Sequence, residues 1–292
     1  MSYFLQLTMS GLSIGIVYAL IGLSLILMLR AADVMNFAQG SFLVLGAYTC
    51  YFLINKTPIS SGFLRVLIAI VFFALVGCVF YLTCIRSFNK ARAGVSGMVA
   101  TIGANTIIVE LCLMFGTRET KSVPPIIKGA VRVGSFMLQY QYIFVFVVCL
   151  VMLIGVMLIF DKLYSGRIMS AAAQNKYAAD LLGIPTLLTT MLTFALCVVM
   201  SGVAGWLIAP VYLITTSIQN FQIKAFAGII IGGFGSLEGA VLGGILVGLI
   251  EAYSTYITTS YKDVVIYAVL LLMLVIRPQG LLKSRVGLTN RA

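Results

Sequence analysis

The chain has no histidine, and only 9% of its 292 residues are charged. The missing histidine removes the commonest metal ligand, proton shuttle and general base. A typical globular domain carries about 25% charged residues, so this chain has too little charge to cover a water-facing surface. Hydrophobic residues make up 61% of the sequence, and the mean hydropathy is +1.12. The composition therefore indicates a polytopic membrane protein.

Sequence features of soluble catalysts and nucleotide-binding proteins are also missing. No G-x-x-x-x-G-K-[ST] segment occurs, so the chain has no P-loop for ATP. The six cysteines lie inside apolar runs without a C-x-x-C pair, and we interpret them as reduced packing residues. We expect no catalytic residue, no metal site and no cofactor on this chain, and therefore no enzyme.

Long apolar runs predict an all-α fold, because a membrane-spanning helix needs about 20 such residues. The runs predict eight full spans and one short or broken helix over 223–235. The eight are 11–29, 37–54, 64–85, 94–115, 141–160, 186–210, 239–259 and 264–276. Glycines are dense after the short segment, and a helix broken at membrane depth must be surrounded by protein or by a water-filled cavity.

Lysine and arginine predict the orientation of these spans. Eleven of them lie in 30–36, 86–93, 161–185 and 277–292, against eight in the other connections, so the C-terminus is predicted in the cytoplasm and the N-terminus outside. The connection 116–139 is then extracytoplasmic, and its alternating Val131-Arg132-Val133 suggests a short hairpin. The cytoplasmic connection 161–185 is rich in alanine and ends at Gly183-Ile184-Pro185, which predicts a short helix outside the bilayer.

Polar residues inside spans are costly in lipid and so are candidates for function. Thr101 and Asn105 lie four residues apart on one helical face, which favours the lining of a cavity. Glu110 and Glu251 lie within spans, where each would line a polar pathway or brace a neighbouring helix. The glycine pairs Gly239/Gly243 and Gly244/Gly248 favour close helix packing.

Six motifs along the chain, taken together, have counterparts in one family. They are Asn36-Phe37-Ala38-Gln39-Gly40 with Gly46-Ala47-Tyr48, Thr101-Ile102-Gly103, Gly166-Arg167 through Gly183-Ile184, Gly232-Gly233-Phe234-Gly235-Ser236-Leu237-Glu238-Gly239-Ala240, Tyr261-Lys262-Asp263 and Arg277-Pro278-Gln279-Gly280-Leu281-Leu282. In this order they resemble the LivH-type permeases, membrane subunits of ATP-binding-cassette importers for branched-chain amino acids. The histidine usual in the first motif is Gln39 here.

The resemblance implies one permease domain over 1–292, forming half of a translocation pathway for branched-chain or other neutral amino acids in the bacterial inner membrane. It implies three kinds of partner and no nucleic acid. These are a second permease subunit (LivM-like or a second copy), two ATPase subunits that bind the ATP, and a periplasmic or extracellular substrate-binding protein.

The resemblance and the polar groups together give three sets of candidate site residues. For the pathway they are Asn36, Gln39, Thr101, Asn105 and Glu251. For coupling to the ATPases they are Ala171, Ala172, Ala173, Ala178, Ala179, Leu182 and Gly183. For helix packing and the broken helix they are Gly232, Gly233, Gly235, Gly239 and Gly243.

Other functions remain open from the sequence. A permease for urea or short amides would have the same architecture. A secondary transporter driven by an ion gradient would use Glu110 or Glu251 to carry H⁺ or Na⁺. A membrane enzyme is disfavoured, because no nucleophile and base form a plausible pair.

Overall fold

A computed structural model gives the fold of the chain. It describes residues 2–32, 34–58, 61–86, 93–116, 119–127, 129–133, 136–162, 164–174, 176–257, 259 and 261–282. The helices are α1 (Ser2–Ala32), α2 (Gln39–Asn55), α3 (Gly62–Phe80, continued by a π-helical turn to Ile85), α4 (Ala93–Gly116), α5 (Tyr140–Lys162), α6 (Tyr164–Gln174), α7 (Lys176–Leu181), α8 (Thr186–Ile208), α9 (Phe221–Gly232), α10 (Leu237–Ile257) and α11 (Lys262–Ile276). A 3₁₀ turn, Thr216–Asn220, precedes α9.

The prediction of an all-α polytopic membrane protein is confirmed. Among the described residues, six helices are long and apolar enough to cross a bilayer. They are Phe4–Ala32, Gly62–Ile85, Ser96–Gly116, Tyr140–Phe160, Thr186–Ile208 and Leu237–Tyr256.

The described part of the chain has six such helices where eight spans were predicted, because the helices at two of the predicted spans are too short to cross a bilayer fully. Helix α2 has 17 residues and α11 has 15. At ~1.5 Å per residue they are about 25 and 22 Å long, less than the ~30 Å of a bilayer core. Helix α2 starts two residues later than predicted because residues 36–38 form a turn, whereas α11 ends at Ile276 as predicted, two residues before Pro278.

The predicted hairpin in the connection 116–139 is present. Strand β1 (Ala130–Val133) pairs antiparallel with β2 (Phe136–Gln139), and Val131 lies opposite Leu138. The connection 161–185 differs in detail from its prediction of one short helix. It contains two helices, α6 and α7, on either side of residue 175, which lies outside the described residues.

The chain forms two compact units, each discontinuous in sequence. The first contains residues 1–26, 126–150 and 220–292, and the second contains 27–125 and 151–219. Helices α1 and α5 each contribute to both units. The single permease domain over 1–292 stays a prediction.

In the second unit, α8 packs closely on α2 and α3. A Cβ atom added at Gly46 would overlap the carbonyl group of Gly202, and one at Gly205 would overlap that of Leu43. These pairs bring the backbones of α2 and α8 together. Such close packing of small residues holds membrane helices together, because lipid provides no hydrophobic drive for their association.

In the first unit, α9 and α10 form a tightly packed pair that α1 joins. A Cβ at Gly243 would overlap the carbonyl oxygen of Gly228, and one at Gly232 would overlap that of Gly239. Helix α1 runs along α10 in the opposite direction, since Thr8 Oγ1 lies 2.7 Å from Tyr253 Oη while Gly15 lies against Ile245. Gly232, Gly239 and Gly243 therefore lie where the backbones of α9 and α10 approach most closely, and their role in packing stays a prediction.

Candidate functional site

The turn before α2 is built around the side chain of Asn36. Its Oδ1 accepts a hydrogen bond from the backbone N–H of Ala38 at 2.9 Å. Its Nδ2 lies 3.2 Å from Gln39 Oε1 and 3.0 Å from the Met28 sulfur. The side chain therefore fixes the start of α2, as asparagine commonly does in turns.

Gln39 and Thr101 extend this arrangement to two further helices. Gln39 Nε2 donates to Ser201 Oγ on α8. Thr101 Oγ1, on α4, accepts from the backbone N–H of Phe37 at 3.1 Å and donates to the Met98 carbonyl at 2.8 Å. We call Asn36, Gln39, Thr101 and Ser201 the polar clamp. All four are buried, and they hold α2, α4 and α8 by hydrogen bonds.

Three of the five predicted pathway residues, Asn36, Gln39 and Thr101, are thus brought together. Each makes hydrogen bonds to other residues of the chain. The clamp gives these residues a positioning role in the fold. Lining of the pathway by Asn36, Gln39 and Thr101 stays a prediction. Asn105, one turn further along α4, is half-buried.

The exposed polar residues of α4 lie on a face next to that of Thr101 and Asn105; sequence reasoning named Glu110 by itself but not this face. Gly103, Thr106 and Glu110 are exposed, at spacings of three and four residues that place them in one stripe. The exposed stripe of α5 is entirely apolar and contains Ile143, Val147, Val151, Ile154 and Leu158. Helix α5 suits contact with lipid, whereas the α4 stripe suits contact with water or protein. The spacing of Gly103, Thr106 and Glu110 was the sequence signal that could have identified this face of α4.

Glu251 lies in the first unit, whereas the other four predicted pathway residues belong to the second unit. The residue is 4% exposed. One carboxylate oxygen accepts from Tyr18 Oη at 2.5 Å, and the other lies 2.6 Å from Lys224 Nζ and 3.4 Å from Lys262 Nζ. Lys224 Nζ also lies 2.9 Å from Asp263 Oδ1.

Lys224 is a functional candidate that the sequence reasoning missed. In the sequence analysis, Lys224 was only one of the eight lysines and arginines predicted to lie outside the cytoplasm. A lysine near the start of a short apolar helix needs an anionic partner if it is buried, and the carboxylates of Glu251 and Asp263 supply it. No sequence spacing links residues 224 and 251, so only the fold reveals the pair.

The predicted coupling residues lie on α6, on α7 and at the end of α7. Ala172 and Ala179 are buried, Ala178 is half-buried and Ala171 is exposed. The side chain of Ala173 lies outside the described residues. Gly183 has φ +78°, and the Ile184 N–H donates to the Ala179 carbonyl at 3.0 Å, which terminates α7. Asp180 Oδ1 accepts from Thr186 Oγ1 at 2.5 Å, tying α7 to the start of α8.

One face of this segment is apolar and open. Leu182 is 81% exposed, and Tyr177 and Leu181 are also mostly exposed. Ala172 and Ala179 therefore pack inward while large apolar side chains point outward. A connection that lies outside the bilayer, as predicted for 161–185, would not normally expose such side chains together unless a partner covered them.

The glycine-rich corner between α9 and α10 has the predicted break, with a contact that was not predicted. Gly233 and Gly235 have φ +124° and +88°. The segment after α11 packs here, since Leu281 N–H donates to the Ile231 carbonyl at 3.0 Å and Leu282 N–H to the Gly232 carbonyl at 2.9 Å. These donors satisfy carbonyls that end α9. A Cβ at Gly233 would overlap the Leu282 carbonyl, so this glycine faces the C-terminal segment.

Comparison with known proteins places this chain in a family. Residues 7–274 match the family model described as the permease component of branched-chain amino acid transport systems. The chain is 28% identical over 294 residues to the high-affinity branched-chain amino acid transport system permease protein BraD of Pseudomonas aeruginosa, with 96% of each chain covered. It is 29% identical over 296 residues to the corresponding permease protein LivH of Escherichia coli K12, again over 96% of each. It is 28% identical over 287 residues to a probable branched-chain amino acid transport permease protein LivH of Methanocaldococcus jannaschii, covering 90% of this chain and 87% of that one. No solved structure matches the chain.

Proposed function

Because the chain belongs to the family of permease components of branched-chain amino acid transport systems, we propose that it is the membrane-spanning subunit of an ATP-binding-cassette importer. In this function it forms half of a pathway for branched-chain or other small neutral amino acids. The chain itself performs no catalysis, and ATP is bound and hydrolysed by two separate ATPase subunits.

The observation that carries this proposal is the open apolar face of α7 and the residues after it. Tyr177, Leu181 and Leu182 are exposed in a connection that is too polar to enter the bilayer. Buried Ala179 and the bond from Thr186 to Asp180 hold the segment on its own unit. A rigidly held apolar face outside the membrane is suited to bind a protein and to transmit its movement. The partner we assign to it is an ATPase subunit.

The pathway in this proposal runs along the exposed polar stripe of α4. Thr106 and Glu110 would face water or a second permease subunit, which is either a related chain or a second copy. The polar clamp keeps α4 in register with α2 and α8, because Thr101 bonds to the backbone before α2. Asn36, Gln39 and Thr101 would then affect the pathway indirectly, by positioning the helices that line it. Asn105 would lie closer to the pathway itself.

The substrate class follows from the polarity of these groups. The α4 stripe combines a hydroxyl, a carboxylate and a glycine with aliphatic neighbours such as Ile107 and Leu111, which are exposed on the same helix. Such a surface suits small solutes that carry both polar and apolar groups. Selection among them belongs to an extracytoplasmic substrate-binding protein, and the assembly lies in the bacterial inner membrane.

A charge placed on the α7 face tests this proposal. We expect Leu182→Glu to leave the permease in the membrane at normal abundance but to reduce the ATPase chains that co-purify with it, because a carboxylate would be desolvated in an apolar interface. Leu213→Glu is the matched control, since Leu213 is also exposed and lies in the connection after α8. Stoichiometric ATPase recovery with Leu182→Glu, or recovery of no ATPase with the unaltered chain, would contradict the proposal.

An ion-coupled secondary transporter is the second candidate, and the exposed Glu110 on α4 is the observation that favours it. A carboxylate on a spanning helix can carry a proton or Na⁺ when it faces water. In that case Glu110→Gln would abolish uptake driven by an ion gradient. In an ATP-driven importer the same variant would keep ATP-dependent uptake.

A further inference from the structure

Four charged side chains come together in the first unit near the start of α9. Lys224 is on α9, Glu251 is on α10, and Lys262 and Asp263 begin α11. We call these four residues the charge cluster. Two of them are cations and two are anions, so the cluster as a whole is neutral at pH 7.

Lys224 and Glu251 are the centre of this cluster. Lys224 Nζ contacts both carboxylates, Glu251 at 2.6 Å and Asp263 at 2.9 Å. Glu251 contacts both ammonium groups and also accepts from the Tyr18 hydroxyl. The side chains of Lys224 and Glu251 are only 8% and 6% exposed, whereas Asp263 is half-exposed. Removal of either central charge leaves its partner buried with incomplete pairing, which is strongly unfavourable.

Helix α9 depends on contacts at its two ends because it is too short to span the bilayer. Its 12 residues extend about 18 Å at ~1.5 Å per residue. At its C-terminal end, backbone donors of Leu281 and Leu282 bind its last carbonyls. Near its N-terminal end, Lys224 binds α10 and α11. Between these ends, the glycine contacts with α10 allow close packing.

From this geometry we infer that Lys224 and Glu251 are positioning residues of the transport cycle. They join α9, α10 and the start of α11 into one body, so that movement imposed on one helix reaches the others. The charges serve this purpose better than apolar contacts would, because a pair that tolerates only one geometry resists sliding of the short helix. The inference of a role in transport rests on the proposed function, whereas the coupling between the two charges does not.

A double-mutant cycle tests the cluster in the assembled complex. The variants are Lys224→Met, Glu251→Gln and the two combined, and the first measurement is the thermal unfolding temperature in detergent. The charge-neutral double variant is expected to unfold at a higher temperature than additivity of the two single effects predicts. The control cycle uses Lys121→Met and Glu119→Gln, a pair at 3.1 Å whose carboxylate side chain is 81% exposed. That pair is expected to show no coupling.

The second measurement separates positioning from mere stability. It is the number of ATP molecules hydrolysed per amino acid transported, at a temperature where every variant is folded. Lys224→Met is expected to raise this ratio roughly fivefold or more, the size of a typical coupling between sites. The double variant should restore part of the loss. Additive unfolding temperatures for Lys224→Met and Glu251→Gln, or an unchanged ratio in folded Lys224→Met, would overturn the inference. Coupled unfolding in a chain whose uptake needs no ATP would instead refute the proposed function.

Discussion

Gln39 holds two polar partners at once, because its amide nitrogen donates to Ser201 and its amide oxygen accepts from Asn36. The family resemblance places a histidine at this position. A neutral imidazole also offers one donor and one acceptor, so it can serve the same two partners. In the polar clamp, Gln39 can therefore make the two hydrogen bonds that a histidine at this position could make.

We expect Gln39→His to keep the stability of the protein and Gln39→Leu to lose it. Leucine would leave the buried polar groups of Asn36 and Ser201 with fewer partners, at a cost of about 1–3 kcal/mol. Thermal unfolding of the purified protein measures the difference. Equal unfolding temperatures for the histidine and leucine variants would show that the clamp hydrogen bonds do not stabilise the chain.

At the scale of single helices, sequence reasoning succeeded where a run of residues carries its own signal. Length and apolarity identified the six spanning helices, and dense glycine identified the break between α9 and α10. The same reasoning missed the late start of α2, because it depends on hydrogen bonds that Asn36 makes within a turn.

Which face of a helix points inward was the harder question. The spacing of Thr101 and Asn105 identified one face of α4 but not its direction. Thr101 lies inside the unit and the exposed polar stripe is Gly103, Thr106 and Glu110. The partners that decide this orientation, such as the backbone of Phe37, are distant in the sequence.

The corner between α9 and α10 yields a prediction for a single element. Gly233→Ala should destabilise the protein by about 1–3 kcal/mol, because its φ of +124° disfavours any side chain. Overlap of the new Cβ with the Leu282 carbonyl should also displace the C-terminal segment. The yield of folded protein and its unfolding temperature measure this effect.

Gly155→Ala on α5 is the matched control for the corner. Gly155 lies in a regular helix, and a Cβ there would meet no atom within 4 Å. We expect no loss of stability for this variant. A loss as large as that of Gly233→Ala would assign the effect to glycine replacement in general and not to the corner.

At the scale of the whole molecule, successive helices of the first unit run in the opposite directions that the order of predicted spans requires. The corner at 233–236 and the segment 279–282 contact each other, while the start of the chain lies near the end of α10. The corner with the C-terminal segment was predicted on one side of the membrane, and the start of the chain with the end of α10 on the other. Which end faces the cytoplasm stays a prediction from lysine and arginine bias.

Cysteine labelling in intact cells tests the orientation. In a background without the six native cysteines, Glu119→Cys should react with an impermeant reagent added outside, because the connection 116–139 is predicted to be extracytoplasmic. Tyr177→Cys should react only after the membrane is opened, since 161–185 is predicted to be cytoplasmic. Labelling of position 177 from outside would reverse the assignment.

Function at this scale depends on partners that the chain does not contain. Sequence motifs indicated an importer subunit, and the family match agrees with them over residues 7–274. The charge cluster required the fold, since it joins residues that no local pattern connects, whereas the residues of the α4 stripe are linked by helical spacing and only their exposure required the fold. The role of the charge cluster and of the α4 stripe in transport is therefore to be measured in the assembled complex.

Uptake of labelled leucine into proteoliposomes tests the central claim most directly. The vesicles contain this chain with its second permease and ATPase subunits, and the substrate-binding protein is added on the opposite side from the ATPases. We expect leucine to accumulate only when ATP is supplied on the ATPase side, with no loss when H⁺ and Na⁺ gradients are collapsed. Accumulation by the chain alone, driven by such a gradient without ATP, would contradict the assignment to an ATP-driven importer.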